Sequence, residues 1–400
     1  MLNLKDYNEQ AISLEDGLEQ PIENVLKIDV AEAIQTYVEV SSGLQAKTTR
    51  SSGFFIAQQD IGKVKEFTHY AAALPIDLNQ VKQYLGYDSS GIPGLEPVDV
   101  QALHKEAQGL ADFWSDIETR MKNVAADLIV FSVNLETTGK EVINIIKKLG
   151  GYQDYSTQLG DVEAAQLPDI KLIDNDHKSI PGLLALSEEL LDIVKDYKRK
   201  ATDVKQRTEY FLVGITELKD KVSSALQALA NHNLGGELAE KIEQLQRLNK
   251  EIDELSGSYK AYSRYKWVGA WWGPAGLAIS MSIYGPEAAK TRKDRDTAID
   301  KKKQLDHEVK RLDHVIGSLI DFQTKLQLLE VLSMEAISGA KNIEDIWLLI
   351  NSYIIASMTQ MKKNTNATTL FIFEKRLIAL MGHWTKISEE AGKIIGRTAD

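Results

Sequence analysis

The forty residues LLDIVKDYKRKATDVKQRTEYFLVGITELKDKVSSALQAL, Leu190 to Leu229, decide the fold class. Leu190, Val194, Tyr197, Ala201, Val204, Thr208, Phe211, Ile215, Leu218, Val222, Ala225 and Leu229 recur by steps of three and four. That is the seam of a long helix seeking a partner, with charged side chains filling the other faces. The same rhythm precedes it in Leu103, Ala107, Leu110, Trp114, Ile117, Met121, Val124, Leu128, Phe131 and Leu135. It resumes in Val142, Ile145 and Leu149, with Gly150-Gly151 expected to cap the end. It returns after residue 300 in Leu305, Val309, Leu312, Ile316 and Leu319, with Gln323 off the pattern before Leu326 and Leu329.

Proline placement agrees. None occurs between Pro97 and Pro168, between Pro181 and Pro274, or after Pro286, so helix interiors can run through those gaps. No stretch alternates with period two. The expectation is an all-α, elongated bundle of long helices with an antiparallel coiled-coil stalk and a hydrophobic tip. In that reading residues 1–181 begin a tail bundle, with helical stretches near 23–41 and 56–73 and a turn-rich link DSSGIPGLEP from Asp88 to Pro97. Residues 182–266 descend as a stalk helix, interrupted or reversed at Asn233–Gly236. Residues 267–286 form the tip, 287–333 ascend, and 334–400 complete the tail. An unbroken descending helix would reach roughly 125 Å. Ile346 to Met361, charge-free but without Gly-Pro joints, reads as a core helix of the tail.

The tip is unusual. WVGAWWGPAGLAISMSIYGP, Trp267 to Pro286, carries no charge and begins with three of the six tryptophans. A loop between antiparallel helices in water is ordinarily polar. Gly273-Pro274 and Gly285-Pro286 are expected to act as hinges that leave about eleven helical residues between them. A bilayer core of about 30 Å requires about twenty. A crossing would also part the two heptad segments. The residues therefore suit an interfacial foot: Trp267, Trp271 and Trp272 at headgroup level, with Val268, Leu277, Ile279, Met281, Ile283 and Tyr284 as membrane-binding residues. Lys260, Arg264, Lys266, Lys290, Arg292, Lys293 and Arg295 form an expected basic collar. Residues 287–303 hold seven basic and four acidic side chains, and each cation near an anionic surface contributes about 1 kcal/mol. Packing of the segment into a subunit interface, or into the protein's own core, are the competing readings.

Composition narrows the functions. Of 400 residues, 43% are apolar and 26% charged, enough for a sizeable core in a water-compatible chain. The net charge of −11 argues against a nucleic-acid partner. Cysteine is absent, which excludes disulfides and thiolate catalysis. Met1 to Glu9 lacks a basic n-region and an apolar h-region, so the expectation is secretion without a cleavable signal peptide. No phosphate loop, dinucleotide fingerprint or H-E-x-x-H occurs. His307 and His314 lie two turns apart on a charged helix and read as solvated, as does the run Lys301-Lys302-Lys303. No enzyme activity, metal site or cofactor is expected.

An antiparallel helical pair with an apolar tip, in a cysteine-free chain, resembles the cytolysin A type of α-helical pore-forming toxins. Within that group, YKWVGAWWGPAGLAISMSIYGPEAAKTRKD, Tyr265 to Asp294, is most similar to component A of the binary α-xenorhabdolysin toxins. The resemblance spans essentially the whole chain. It implies a tail, a coiled-coil neck and a membrane-facing foot at Trp267–Tyr284. It implies a separate B component as partner, a monomer in solution, and a hetero-oligomeric lytic ring on the target-cell lipid membrane. The segment has no long amphipathic helix to line a channel, which points to the partner for much of the lining. The alternative is a structural scaffolding protein whose apolar tip docks another protein.

Overall fold

The computed structural model describes residues 58–153, 172–230, 237–265, 273–363 and 366–397, with only the backbone described at 58–61, 230, 239, 259–265, 273–289, 310–312, 314, 342, 386–387 and 389–397. The described chain is all-α, and its elements are helices α1 (Gln58–Ala73), α2 (Leu78–Leu85), α3 (Pro97–Lys147), α4 (Ile180–Ala230), α5 (Glu237–Tyr265), α6 (Gly273–Leu312), α7 (His314–Lys363) and α8 (Ala367–Arg397). The stretch 23–41 and the Asn233–Gly236 interruption lie outside the described residues.

Helix α3 starts where proline belongs, with Pro97 in the first turn and Glu96 as the N-cap residue. The Glu96 carboxylate gathers the preceding link, accepting from the Ser90 and Gly91 N–H groups at 3.1 and 2.7 Å. Gly91 and Gly94 take positive φ values of 67° and 82°, the turns the sequence predicts there. The helix then runs for 51 residues, about 77 Å. It ends at Lys147. Gly150 and Gly151 do not cap it as expected. Their N–H groups open the next helical turn and donate at 2.8 and 2.9 Å to the buried Asp176 carboxylate. A Cβ on Gly150 would stand 2.9 Å from the Cδ1 of Ile173, an exposed side chain that can move aside.

Helices α3 and α4 are antiparallel. As the α3 partner rises from Glu106 through Asp116 and Arg120 to Asp127, the α4 partner falls from Lys221 through Arg207 and Asp203 to Lys200. The seam Val194, Ala201, Val204, Phe211, Ile215, Leu218 and Val222 is buried as the periodicity predicts. Thr208, also in the seam, satisfies its hydroxyl by donating to the Val204 carbonyl at 2.7 Å. Helix α7 is the central element, enclosed on nearly every side from Ile316 to Ala336. It runs antiparallel to α4, with Lys205–Glu344 at 2.6 Å and Lys219–Glu330 at 2.8 Å.

At one end α3, α4, α7 and α8 close around aromatic rings. Phe131 meets Trp384, Trp347 and Tyr197 at centroid distances of 4.8, 5.0 and 6.0 Å. The Trp384 indole donates to the Leu128 carbonyl at 2.9 Å. Ile346, Trp347, Ile350, Tyr353, Ile354, Met358 and Met361 are buried in this region.

The other end departs from the expected stalk. The stretch 287–333 is not one ascending helix. Val309 accepts from the Asp313 N–H at 2.8 Å to finish α6, and Asp313 Oδ1 accepts from the Ile316 N–H at 2.9 Å to cap α7. Helices α6 and α7 then lie antiparallel, for Arg292 faces Glu335 and Lys302 reaches Gln323 and Gln327. Helix α5 likewise runs back along α4, since Lys219 meets Asp253 at 3.2 Å. Helices α4 and α5 are therefore antiparallel, on either side of the residues where the sequence left a kink or a reversal open.

Candidate functional site

Helices α5 and α6 form a hairpin whose apex carries the charge-free segment. Lys241 and Glu308 pair across it, and Ile242, Leu245, Ile252, Ala298, Ile299 and Val309 are buried at its base. The chain leaves α4 for this hairpin after Ala230 and rejoins α7 at Asp313. At this end α6 and α7 are separated by Asp313 alone.

Trp267, Val268, Trp271, Trp272 and Lys266 lie outside the described residues. Gly273 and Pro274 form the first turn of α6, where proline fits. Leu277, Ile279, Met281, Ile283 and Tyr284 follow on the same helix, with backbone only described. The expected break at Gly285-Pro286 does not occur; α6 continues through it to Leu312. Inside this 40-residue helix Pro286 forfeits one hydrogen bond and its ring crowds the carbonyl four residues back, a local cost of about 3 kcal/mol that the helix carries without ending. From Gly273 to Pro286 the charge-free helix spans about 21 Å, less than a bilayer core. No described helix is long and apolar enough to cross a membrane.

The collar divides. Lys290 and Lys293 are exposed. Arg292 and Arg295 are buried on the opposite face against Glu335, at 3.5 and 3.9 Å, and Arg295 also bonds Asp296 at 2.8 Å. The enclosed face of α6 is mixed: Arg295, Lys302 and Asp306 are buried on it, and so are Ala298, Ile299 and Val309. Lys260 and Arg264 fall where only the backbone is described.

The reading of Lys301-Lys302-Lys303 as solvated is corrected at its middle residue. Lys301 and Lys303 are exposed, but Lys302 is 0% exposed. Its Nζ donates to Gln327 Oε1 at 2.6 Å and to Gln323 Oε1 at 3.3 Å. Gln323 in turn donates to Ser223 Oγ at 2.7 Å and accepts from Asn249 at 2.8 Å. Lys219 completes the layer between Asp253 and Glu330. One polar stratum thus ties α4, α5, α6 and α7 together. Burial pulls the Lys302 ammonium down to about 7, against an ordinary 10.5. Burial also opposes the charge of Lys219, but Glu330 and Asp253 outweigh it and its pKa is raised.

Sequence reasoning passed over Lys219, Lys302, Glu335 and Gln327. The signal present was Gln323, the polar residue interrupting an apolar seam; a buried amide in such a position requires partners. No group of three or more His, Asp or Glu side chains able to hold a metal occurs among the described residues.

The arrangement defines an all-α protein of long antiparallel helices with an α5–α6 hairpin. No family model matches the chain, and no curated protein does. Among solved structures it is similar to YaxA from Yersinia enterocolitica at 21% identity, over 86% of this chain and 97% of that one, with a TM-score of 0.48. It is similar to XaxA from Xenorhabdus nematophila at 19% identity, over 87% and 97%, with a TM-score of 0.45. It is also similar to the HblL1 toxin component of Bacillus cereus at 14% identity, over 92% and 95%, with a TM-score of 0.48.

Proposed function

We propose that this chain is one component of a multi-part α-helical pore-forming toxin. In this reading Trp267, Val268, Trp271, Trp272, Leu277, Ile279, Met281, Ile283 and Tyr284 contact the target membrane. What supports this reading is the tryptophan-led, charge-free sequence that joins the paired helices α5 and α6. A segment of this kind gains by leaving water for a lipid interface. Lys290 and Lys293 supply the outward-facing positive charge beside it. The 21 Å of charge-free helix is too short to span, so a partner component provides most of the channel wall and the two co-assemble on the membrane. Gly273-Pro274 adjusts the apex, while the larger movement belongs to the base of the hairpin. The protein acts after leaving its cell of origin, at a target-cell membrane.

The test is co-sedimentation with anionic vesicles, followed by dye release in the presence of proteins encoded beside this one. Replacing Trp267, Trp271 and Trp272 together by Ala is expected to abolish sedimentation while leaving helical content intact. Undiminished binding by that variant overturns the assignment. Absence of binding and leakage by the parent chain with every partner favours a scaffolding role instead.

A further inference from the structure

We propose that the polar layer around Lys302 is a proton-operated latch, holding the α5–α6 hairpin on α4 and α7 more firmly when Lys302 is neutral than when it is charged. The geometry supplies the reason. Lys302 is wholly enclosed, yet both acceptors its Nζ reaches are neutral amide oxygens from α7. The charged groups facing it come from every neighbouring element: Lys219 on α4, Asp253 on α5, Asp306 one turn along α6, and Asp321 on α7. Lys219 repels a second cation, and it already engages Asp253 and Glu330. A neutral amine fits this set; an ammonium is enclosed without a direct carboxylate partner. A crevice of about 560 Å³, lined in part by Ser223, Asn249, Asp253, Gln323 and Gln327, brings water to the edge of the layer.

The direction follows from linkage. When the hairpin lifts away, Lys302 lies on an open helix face and titrates in the ordinary lysine range. The docked state therefore binds fewer protons between about pH 7 and 10.5, and docking strengthens as pH rises through that window. Below about pH 7 both states carry the proton and this group contributes no further slope. The latch is loose at neutral pH and tightens under alkaline conditions. Acidification past neutrality releases nothing through Lys302. Its consequence for membrane action rests on the function proposed above, but the latch itself is measurable without lipid.

The chain has no cysteine, so one introduced thiol reports alone. Ala298 is buried on the α6 face that carries Arg295 and Lys302. The rate at which Ala298→Cys reacts with a thiol reagent, normalised to an unstructured cysteine peptide at each pH, gives the opening equilibrium. That equilibrium is expected to fall about fifty-fold from pH 7 to pH 9 and to change less than about twofold from pH 6 to pH 7. Added Lys302→Met is expected to lower opening at pH 7 and remove the slope. Added Lys302→Arg, charged throughout, is expected to remove the slope while raising opening. Circular dichroism confirms that each remains helical, and either variant alone suffices for the comparison. A slope in the parent equal to that in both variants overturns the latch. That failure is independent of the vesicle result, which judges the function alone.

Discussion

Glu335→Gln tests how the base of the hairpin is held. Glu335 lies on α7 with 2% of its side chain exposed, facing Arg292 at 9% and Arg295 at 2%. The amide preserves shape and removes only the charge. Two enclosed guanidiniums then lose their shared anion, and breaking a buried pair from one side costs roughly 3–5 kcal/mol. Asp296 remains 2.8 Å from Arg295 and 3.9 Å from Arg292, but it is 41% exposed and screened by water. The expected cost therefore sits at the lower end, about 3 kcal/mol. At 1.36 kcal/mol per decade this raises hairpin opening by about a hundred-fold. Thiol reactivity at Ala298→Cys reads that opening directly, and urea unfolding of the tail bundle serves as the control that stays unchanged. A rise below threefold refutes the claim that the arginine–glutamate contact anchors α6 to α7. The complementary variant replaces Arg292 and Arg295 by Met and Glu335 by Leu. Removing all three charges leaves none unpaired, and opening is expected to stay level or fall.

Phe131→Ala removes the ring at the centre of the Trp347, Trp384 and Tyr197 cluster and is expected to cost about 3–5 kcal/mol, read as a lowered urea midpoint of the tail bundle without altered thiol reactivity at Ala298→Cys. Lys290→Glu with Lys293→Glu reverses the two exposed collar charges. It is expected to weaken binding to anionic vesicles by at least tenfold at low salt, with little loss on neutral vesicles, at about 1 kcal/mol per cation. The salt dependence of binding in the parent checks the same point.

The long helices were legible because periodicity and proline placement agree over many turns. The seam from Leu190 to Leu229 predicts burial residue by residue, and Val194, Val204, Phe211, Ile215 and Val222 are enclosed accordingly. The reversal at Asp313 was not legible for a related reason. Leu305, Val309, Leu312, Ile316 and Leu319 keep heptad phase straight across it. A seam states which face is covered and says nothing of whether the axis continues. The turn rests on one side chain, Asp313, capping one N–H. Pro286 misled in the opposite sense, since the lost hydrogen bond and the crowded carbonyl of an interior proline, about 3 kcal/mol, do not end a helix that runs on for 26 residues beyond it. At the candidate site, the charge-free segment stood out by composition. The layer that holds its hairpin did not, because Lys302 between two exposed lysines is indistinguishable in sequence from a solvated face. Only the partner helix shows which of the three points inward.

The chemistry of the docking surface bears on why a hairpin of this kind can be both stored and released. A seam of leucines between α6 and α7 would oppose separation by about 25 cal/mol for each Å² of apolar surface returned to water, with nothing given back. The seam here carries Arg292, Arg295, Lys302 and Asp306, groups that recover hydration when exposed, interspersed with the buried Ala298, Ile299 and Val309. Their burial contributes specificity of register, since Arg292 and Arg295 meet Glu335 and Lys302 meets Gln323 and Gln327 in only one alignment. It contributes little net adhesion. By contrast the core that the hairpin leaves behind contains Val204, Phe211 and Ile215 of α4 and Leu326 and Leu329 of α7, all enclosed. Separation is thus favoured at the α6–α7 face and resisted along α4–α7. Substituting apolar residues throughout the α6 face would strengthen docking and, in the proposed function, arrest the protein before it reaches lipid.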